Sequence, residues 1–199
     1  LGRPLYAFRA LLGIRRSWMS REIAAFGAFA AAATAYALSL PPAAALGLLE
    51  RVAPPLASGL RALEPLAPWL SAITSLLGLF AVFCSVMLYH VTGRELWQAG
   101  RAAMRFFGTT AVLGTATLWI AAIAALAAGG LWADDLRSIC LALALVTAAK
   151  LAFELAVLLK LKDRRHFELR RTATLLLGPL SLTLRARAAF ALFGAGIFP

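Results

Sequence analysis

Residues 69–89 read WLSAITSLLGLFAVFCSVMLY, an uncharged run with tryptophan at one end and tyrosine at the other. A helix needs about 20 apolar residues to cross a hydrocarbon core about 30 Å thick. This run meets that length, and its terminal aromatics stand where the headgroup belts of a bilayer hold Trp and Tyr. Working outward, the same reading predicts spans over 23–40, 106–131 and 138–159. A fifth apolar run opens at 188 and reaches the last residue, 199. Pro41 and Pro42 stop the first span, and Gly27 within it is expected to allow close helix packing. Residues 43–68 are apolar but interrupted by Glu50, Arg51, Arg61, Glu64 and four prolines, which predicts a loop carrying short interfacial helices. Residues 175–184 are apolar, short and broken by Gly178-Pro179, and predict an interfacial or re-entrant stretch. The fold class expected is all-α: a single polytopic transmembrane helical bundle with four full spans and part of a fifth.

Composition agrees. Of 199 residues, 62% are hydrophobic and 15% charged, with a mean hydropathy of +0.82. An ordinary soluble domain is about 45–50% apolar, so this chain lacks the polar surface to cover a core in water. The net charge of +11 would elsewhere suggest nucleic acid. Here the arginines sit in short segments between apolar runs, and orientation in a bilayer is the expected use of the charge. The opening arm and the loops 90–105 and 160–187 are basic, loop 43–68 is neutral, and Asp134-Asp135 form an acidic turn. This alternation fits a chain that changes sides at each crossing, and the positive-inside rule would put the basic segments in the cytoplasm. The chain opens on Leu1 without a methionine or apolar leader and stops within an uncharged run too short to span, so both ends read as cut.

Metal chemistry is not expected within this chain. Cys84 and Cys140 lie in separate apolar runs, with no CxxC or Cys cluster to hold zinc or an iron–sulfur centre. A bis-histidine haem needs paired histidines at depth on facing helices. The two histidines, His90 and His166, both fall outside the spans.

Three places carry polar chemistry near or within apolar runs. Lys150 and Glu154, four apart on one helix face, can pair within the fourth span. Such groups are costly at membrane depth and usually face the bundle interior or a watery cavity. They serve either as a proton path or ligand wall, or as a pin to a neighbouring helix. Ser20-Arg21-Glu22 at the mouth of the first span is good helix-start chemistry, with Ser20 as N-cap and a carboxylate in the first turn. Alternatively, Glu22 exchanges protons with a ligand reaching in from the lipid. His90, closing the second span, is either a belt residue or a proton acceptor.

Several segments then resemble, in order, one family. They are LGRPLYAFRAL…RRSWMSREI, FCSVMLYHVTGRELW, MRFFGTTAVLG, and KLAFELAVLL followed by LRRTATLLLGPL. Together they are similar to the membrane anchor subunit of dimethyl sulfoxide reductase-type molybdoenzymes, and the likeness covers nearly the whole chain. The resemblance implies a bundle of about eight helices in the bacterial cytoplasmic (inner) membrane, of which this chain is a fragment. It implies a non-catalytic subunit of anaerobic respiration that binds and oxidises menaquinol. Electrons would pass to a ferredoxin-like iron–sulfur subunit that serves a molybdopterin catalytic subunit. Menaquinol is then a bound substrate, and the chain holds no metal or haem of its own. On the family pattern, Leu1, Gly2, Pro4, Ala7 and Phe8 match one segment, and Ser20, Glu22 and Ile23 another. A quinol-binding histidine would stand immediately before Leu1. Glu22 is the first position implied for quinol binding and proton transfer, followed by Arg9 and Arg21, with His90 as a donor to a quinone carbonyl. In relatives the matching basic segments face the periplasm, where exported partners dock, against the positive-inside expectation. Two alternatives stand beside this reading. One is a secondary transporter using Lys150 and Glu154, although inverted repeats are not evident. The other is a related anchor for polysulfide, nitrite or formate chemistry.

Overall fold

The computed structural model describes residues 12–127, 133–162 and 167–193, and among these there is helix and turn but no strand. The chain divides into two compact units, Leu1–Leu88 and Tyr89–Pro199. Among the described residues, four helical stretches are long and apolar enough to cross a membrane: Trp18–Ser39, Pro54–His90, Ala99–Ala127 and Asp135–Leu161. The expected helical transmembrane class is the one observed.

In the first unit, α1 (Trp18–Ser39) is alanine-rich, the best composition for a helix. Pro41 and Pro42 supply no N–H to prolong it, and Ser39 Oγ donates to the Tyr36 carbonyl at 2.7 Å in its last turn. Two short helices follow, α2 (Ala43–Val52) and α3 (Pro54–Leu63), the second starting on prolines whose missing N–H groups would be unpaired at that position anyway. Arg61 of α3 pairs with Glu50 of α2 in an exposed ion pair, the kind that contributes at most about 1 kcal/mol. A single 3₁₀ turn, Glu64–Leu66, leads into α4 (Ala67–His90).

α1 and α4 meet through small residues. Ala25, Ala81 and Cys84 form the buried cluster between them. Phe29 of α1 packs against Gly78 of α4, where an added Cβ would come within 3.1 Å of the ring. Trp18 meets Phe83 edge-on at 6.1 Å. Gly78, Ala81 and Ser85 share one face of α4, the face that meets α1. Gly27, expected at a packing contact, has nothing within 4 Å of its Cβ position. The glycine that permits contact is on the partner helix.

In the second unit, α5 (Ala99–Ala127) and α6 (Ala133–Leu155) pack side by side. Gly108 of α5 faces Lys150 of α6, and Val112 and Ala116 line a common cavity with Thr147 and Leu143. Residue numbers rise on one helix as they fall on the other, so the pair is antiparallel. α6 tightens into a 3₁₀ stretch, Ala156–Lys162, against which α7 (Phe167–Leu177) packs. The stretch around Gly178-Pro179 is a turn, with α8 (Ser181–Leu192) beginning just beyond it. The break expected there is present, flanked by two helices. The Gly178 and Leu180 N–H groups take the carbonyls of Thr174 and Leu175, at 3.0 and 2.9 Å, while Pro179 has no N–H to place. The fifth span expected over 188–199 coincides with the end of α8 and then leaves the described residues.

Candidate functional site

The mouth of the first span is built differently from the helix start that its sequence suggests. α1 begins at Trp18 rather than Ile23, with Ser17 in the extended N-cap position and no side-chain cap bond. Ser20 is therefore inside the helix and not at its cap, and it is only 6% exposed. The segment before it turns back at Gly13, whose carbonyl accepts from the N–H groups of Arg16 and Ser17 at 2.9 and 2.8 Å. A Cβ on Gly13 would stand 2.8 Å from Ser20 Oγ, so the close approach needs a glycine.

Arg21 fastens this turn to α1. Its Nε donates to the Ile14 carbonyl and its Nη2 to the Arg15 carbonyl, both at 2.9 Å. Its guanidinium also lies 4.4 Å from the centre of the Trp18 ring. Three contacts hold one side chain in place, and cation–π contact is strongest when water is excluded.

Glu22, one residue on, belongs to a different environment. Ser85 Oγ of α4 donates to Glu22 Oε1 in a hydrogen bond that joins the two helices. Ser85 is 5% exposed and the adjacent Cys84 is fully buried. The carboxylate is thus half-buried beside small apolar residues, with a neutral hydroxyl as its bonded partner. The helix-cap reading of Ser20 and Glu22 does not hold, because neither is at the helix end. Of the residues the sequence singles out, Glu22 and Arg21 stand together here, Arg9 lies outside the described residues, and His90 is the exposed last residue of α4 in the other compact unit. Ser85 carries no sequence signal beyond being a hydroxyl on a stripe of small residues.

The second polar constellation lies on α6. Lys150 Nζ pairs with Glu154 Oε1 at 2.9 Å, as the four-residue spacing predicts, and the side chains are 17% and 16% exposed. Arg187 of α8 reaches the same carboxylate oxygen at 2.9 Å. The pin to a neighbouring helix is therefore real, and Arg187 supplies it. The methylenes of Lys150 cross α5 at Gly108, where a Cβ would meet Lys150 Cγ at 3.6 Å. Three cavities of about 210, 280 and 180 Å³ border Glu154. Arg187 and Arg105 are the participants that sequence reasoning does not find, since nothing local links position 187 to a helix 33 residues earlier.

Among the described residues no three His, Cys, Asp or Glu side chains gather as a metal site, and Cys84 and Cys140 are free thiols. The sequence family described as DMSO reductase anchor subunit (DmsC) matches residues 1–164. The chain belongs to that family. No curated protein and no solved structure matches it. As a DMSO reductase anchor subunit it is a multi-pass membrane protein that associates with other subunits of a reductase complex. The matched region contains Glu22, Ser85, His90, Lys150 and Glu154 and stops short of Arg187.

Proposed function

We propose that this anchor subunit binds and oxidises menaquinol beside the Glu22–Ser85 pair and delivers the electrons to an iron–sulfur partner subunit. That partner would in turn supply a molybdopterin subunit in anaerobic respiration at the bacterial cytoplasmic membrane. One observation carries the reading: among the described residues, the half-buried Glu22 carboxylate is bonded to a hydroxyl and to no cation. Such a group takes up a proton without breaking an ion pair. Glu154, held by Lys150 and Arg187, would have to break two.

Oxidation of a quinol releases two protons and two electrons and leaves a quinone. Glu22 accepts a proton from a quinol hydroxyl as an electron leaves for the partner, and returns it to water before the second transfer. Ser85 orients the carboxylate. Arg21, bonded to the Ile14 and Arg15 carbonyls and lying over the Trp18 ring, holds the turn before α1 against the helix. The transporter alternative gives way to family membership, and its charge pair becomes a helix pin.

The test is co-purification with a fluorescent quinone-site inhibitor. The chain isolated from membranes should bring an iron–sulfur subunit with it and quench the inhibitor's fluorescence at about one site per anchor. Isolation without such a partner, or no quenching by the assembled complex, overturns the proposal.

A further inference from the structure

The crevice around Glu154 holds more positive than negative charge. Arg105 lies in the field of Glu154, Arg187 and Arg101, and Lys150 and Arg187 both pair with Glu154. Glu154 is the one acidic residue among the described residues that line the three cavities there. Cations inside a bundle are costly unless an anion meets them, and one carboxylate does not balance three.

The polarity of the crevice runs in one direction. Its larger cavity, about 280 Å³, carries Arg105, Thr109, Thr172, Thr183 and Arg187 around Glu154. The adjoining cavity shares Glu154 and Arg187 with it and adds Lys150, and along α6 toward the middle of the span it is walled by Val112, Ala116, Leu143, Leu151 and Phe190. Thr147 also lines it, and its hydroxyl, on a residue 8% exposed, has no hydrogen-bond partner among the described residues. A cationic end toward the basic segment and an apolar end toward mid-span match a molecule with an anionic head and a hydrocarbon tail. A small free anion would leave the apolar half empty, and a neutral head would leave the cations unmet.

We propose that the crevice between α5, α6, α7 and α8 is a binding site for an anionic phospholipid. Its phosphate sits at Arg105 and Arg187, an ester carbonyl accepts from Thr147, and an acyl chain lies along Leu143 and Leu151. Basic pockets between transmembrane helices are suited to such headgroups. The lipid would seal α8 to the α5–α6 pair, reinforcing the ion pair that Arg187 makes with Glu154.

Native mass spectrometry of the full chain in neutral detergent tests this, with phosphatidylglycerol and phosphatidylcholine of identical acyl chains offered in equal amounts. Phosphatidylglycerol should be retained preferentially, and Arg105→Gln and Arg187→Gln should each weaken retention about fivefold. Arg61→Gln on α3, outside the crevice, should leave it unchanged. Equal retention of the two lipids by the unaltered chain overturns the proposal without recourse to any variant. So does undiminished preference in Arg105→Gln and Arg187→Gln chains that circular dichroism shows to be folded. Displacement by millimolar inorganic phosphate would make it a free-anion site, and an assembled complex lacking the lipid would assign these cations to an acidic partner subunit. Either result overturns it.

Discussion

Glu22 and Ser85 divide two tasks that one substitution cannot remove together. Glu22→Gln keeps an oxygen for the Ser85 hydroxyl but cannot take a proton, so folding should survive while proton acceptance is lost. Ser85→Ala does the converse: the carboxylate remains and loses its bonded donor. Leaving a half-buried carboxylate unmatched costs about 1–3 kcal/mol, so thermal unfolding in detergent should show Ser85→Ala less stable than Glu22→Gln. The reverse order would mean that the pair is incidental. At this scale the sequence was legible where chemistry is local. Lys150 and Glu154 could be paired from their spacing alone, because a helix turn brings positions four apart together. Ser85 and Arg187 could not be read, because their partners lie 63 and 33 residues away and depend on which helix faces which.

Among the elements, the contact between α1 and α4 is the one that small residues decide. Gly78→Val should force the Phe29 ring aside and destabilise the first unit by about 1–3 kcal/mol. Gly27→Ala, which meets nothing, should be neutral or stabilise by up to about 1 kcal/mol. Equal melting temperatures for the two variants would contradict the packing described. Helix identity was legible from apolar runs, aromatic ends and prolines, whereas the start of α1 was not. Its first turn carries no side-chain cap, and the turn before it is closed on the Gly13 carbonyl by backbone bonds that leave no periodic trace. The choice between Gly27 and Gly78 likewise depends on the rotation of each helix, which a weakly amphipathic, alanine-rich sequence does not specify.

On the scale of the whole molecule, much of the apolar surface has no protein against it. Leu76 is 68% and Leu145 70% exposed, each in the interior of a long apolar helix. Lipid or neighbouring helices must cover them. Cysteine placed at Leu76 or Leu145 should therefore resist a water-soluble maleimide in intact membranes, while cysteine at Val91, 64% exposed just beyond α4, should react from one side only. Ready labelling of all three positions would remove the bilayer from the account. The side from which Val91→Cys reacts also decides whether the basic segments face the cytoplasm, as positive-inside counting predicts, or the opposite side. Composition made the membrane class legible, and an ordered set of weak motifs made the family legible. The proton-handling role rests on Glu22, and it is tested most directly by comparing two electron donors in membranes carrying Glu22→Gln. Reduction of the terminal acceptor driven by menaquinol should fall about a hundredfold or more, while reduction driven by a dye that feeds the partner subunits directly continues at the unaltered rate. Full menaquinol-driven turnover in Glu22→Gln would contradict the account.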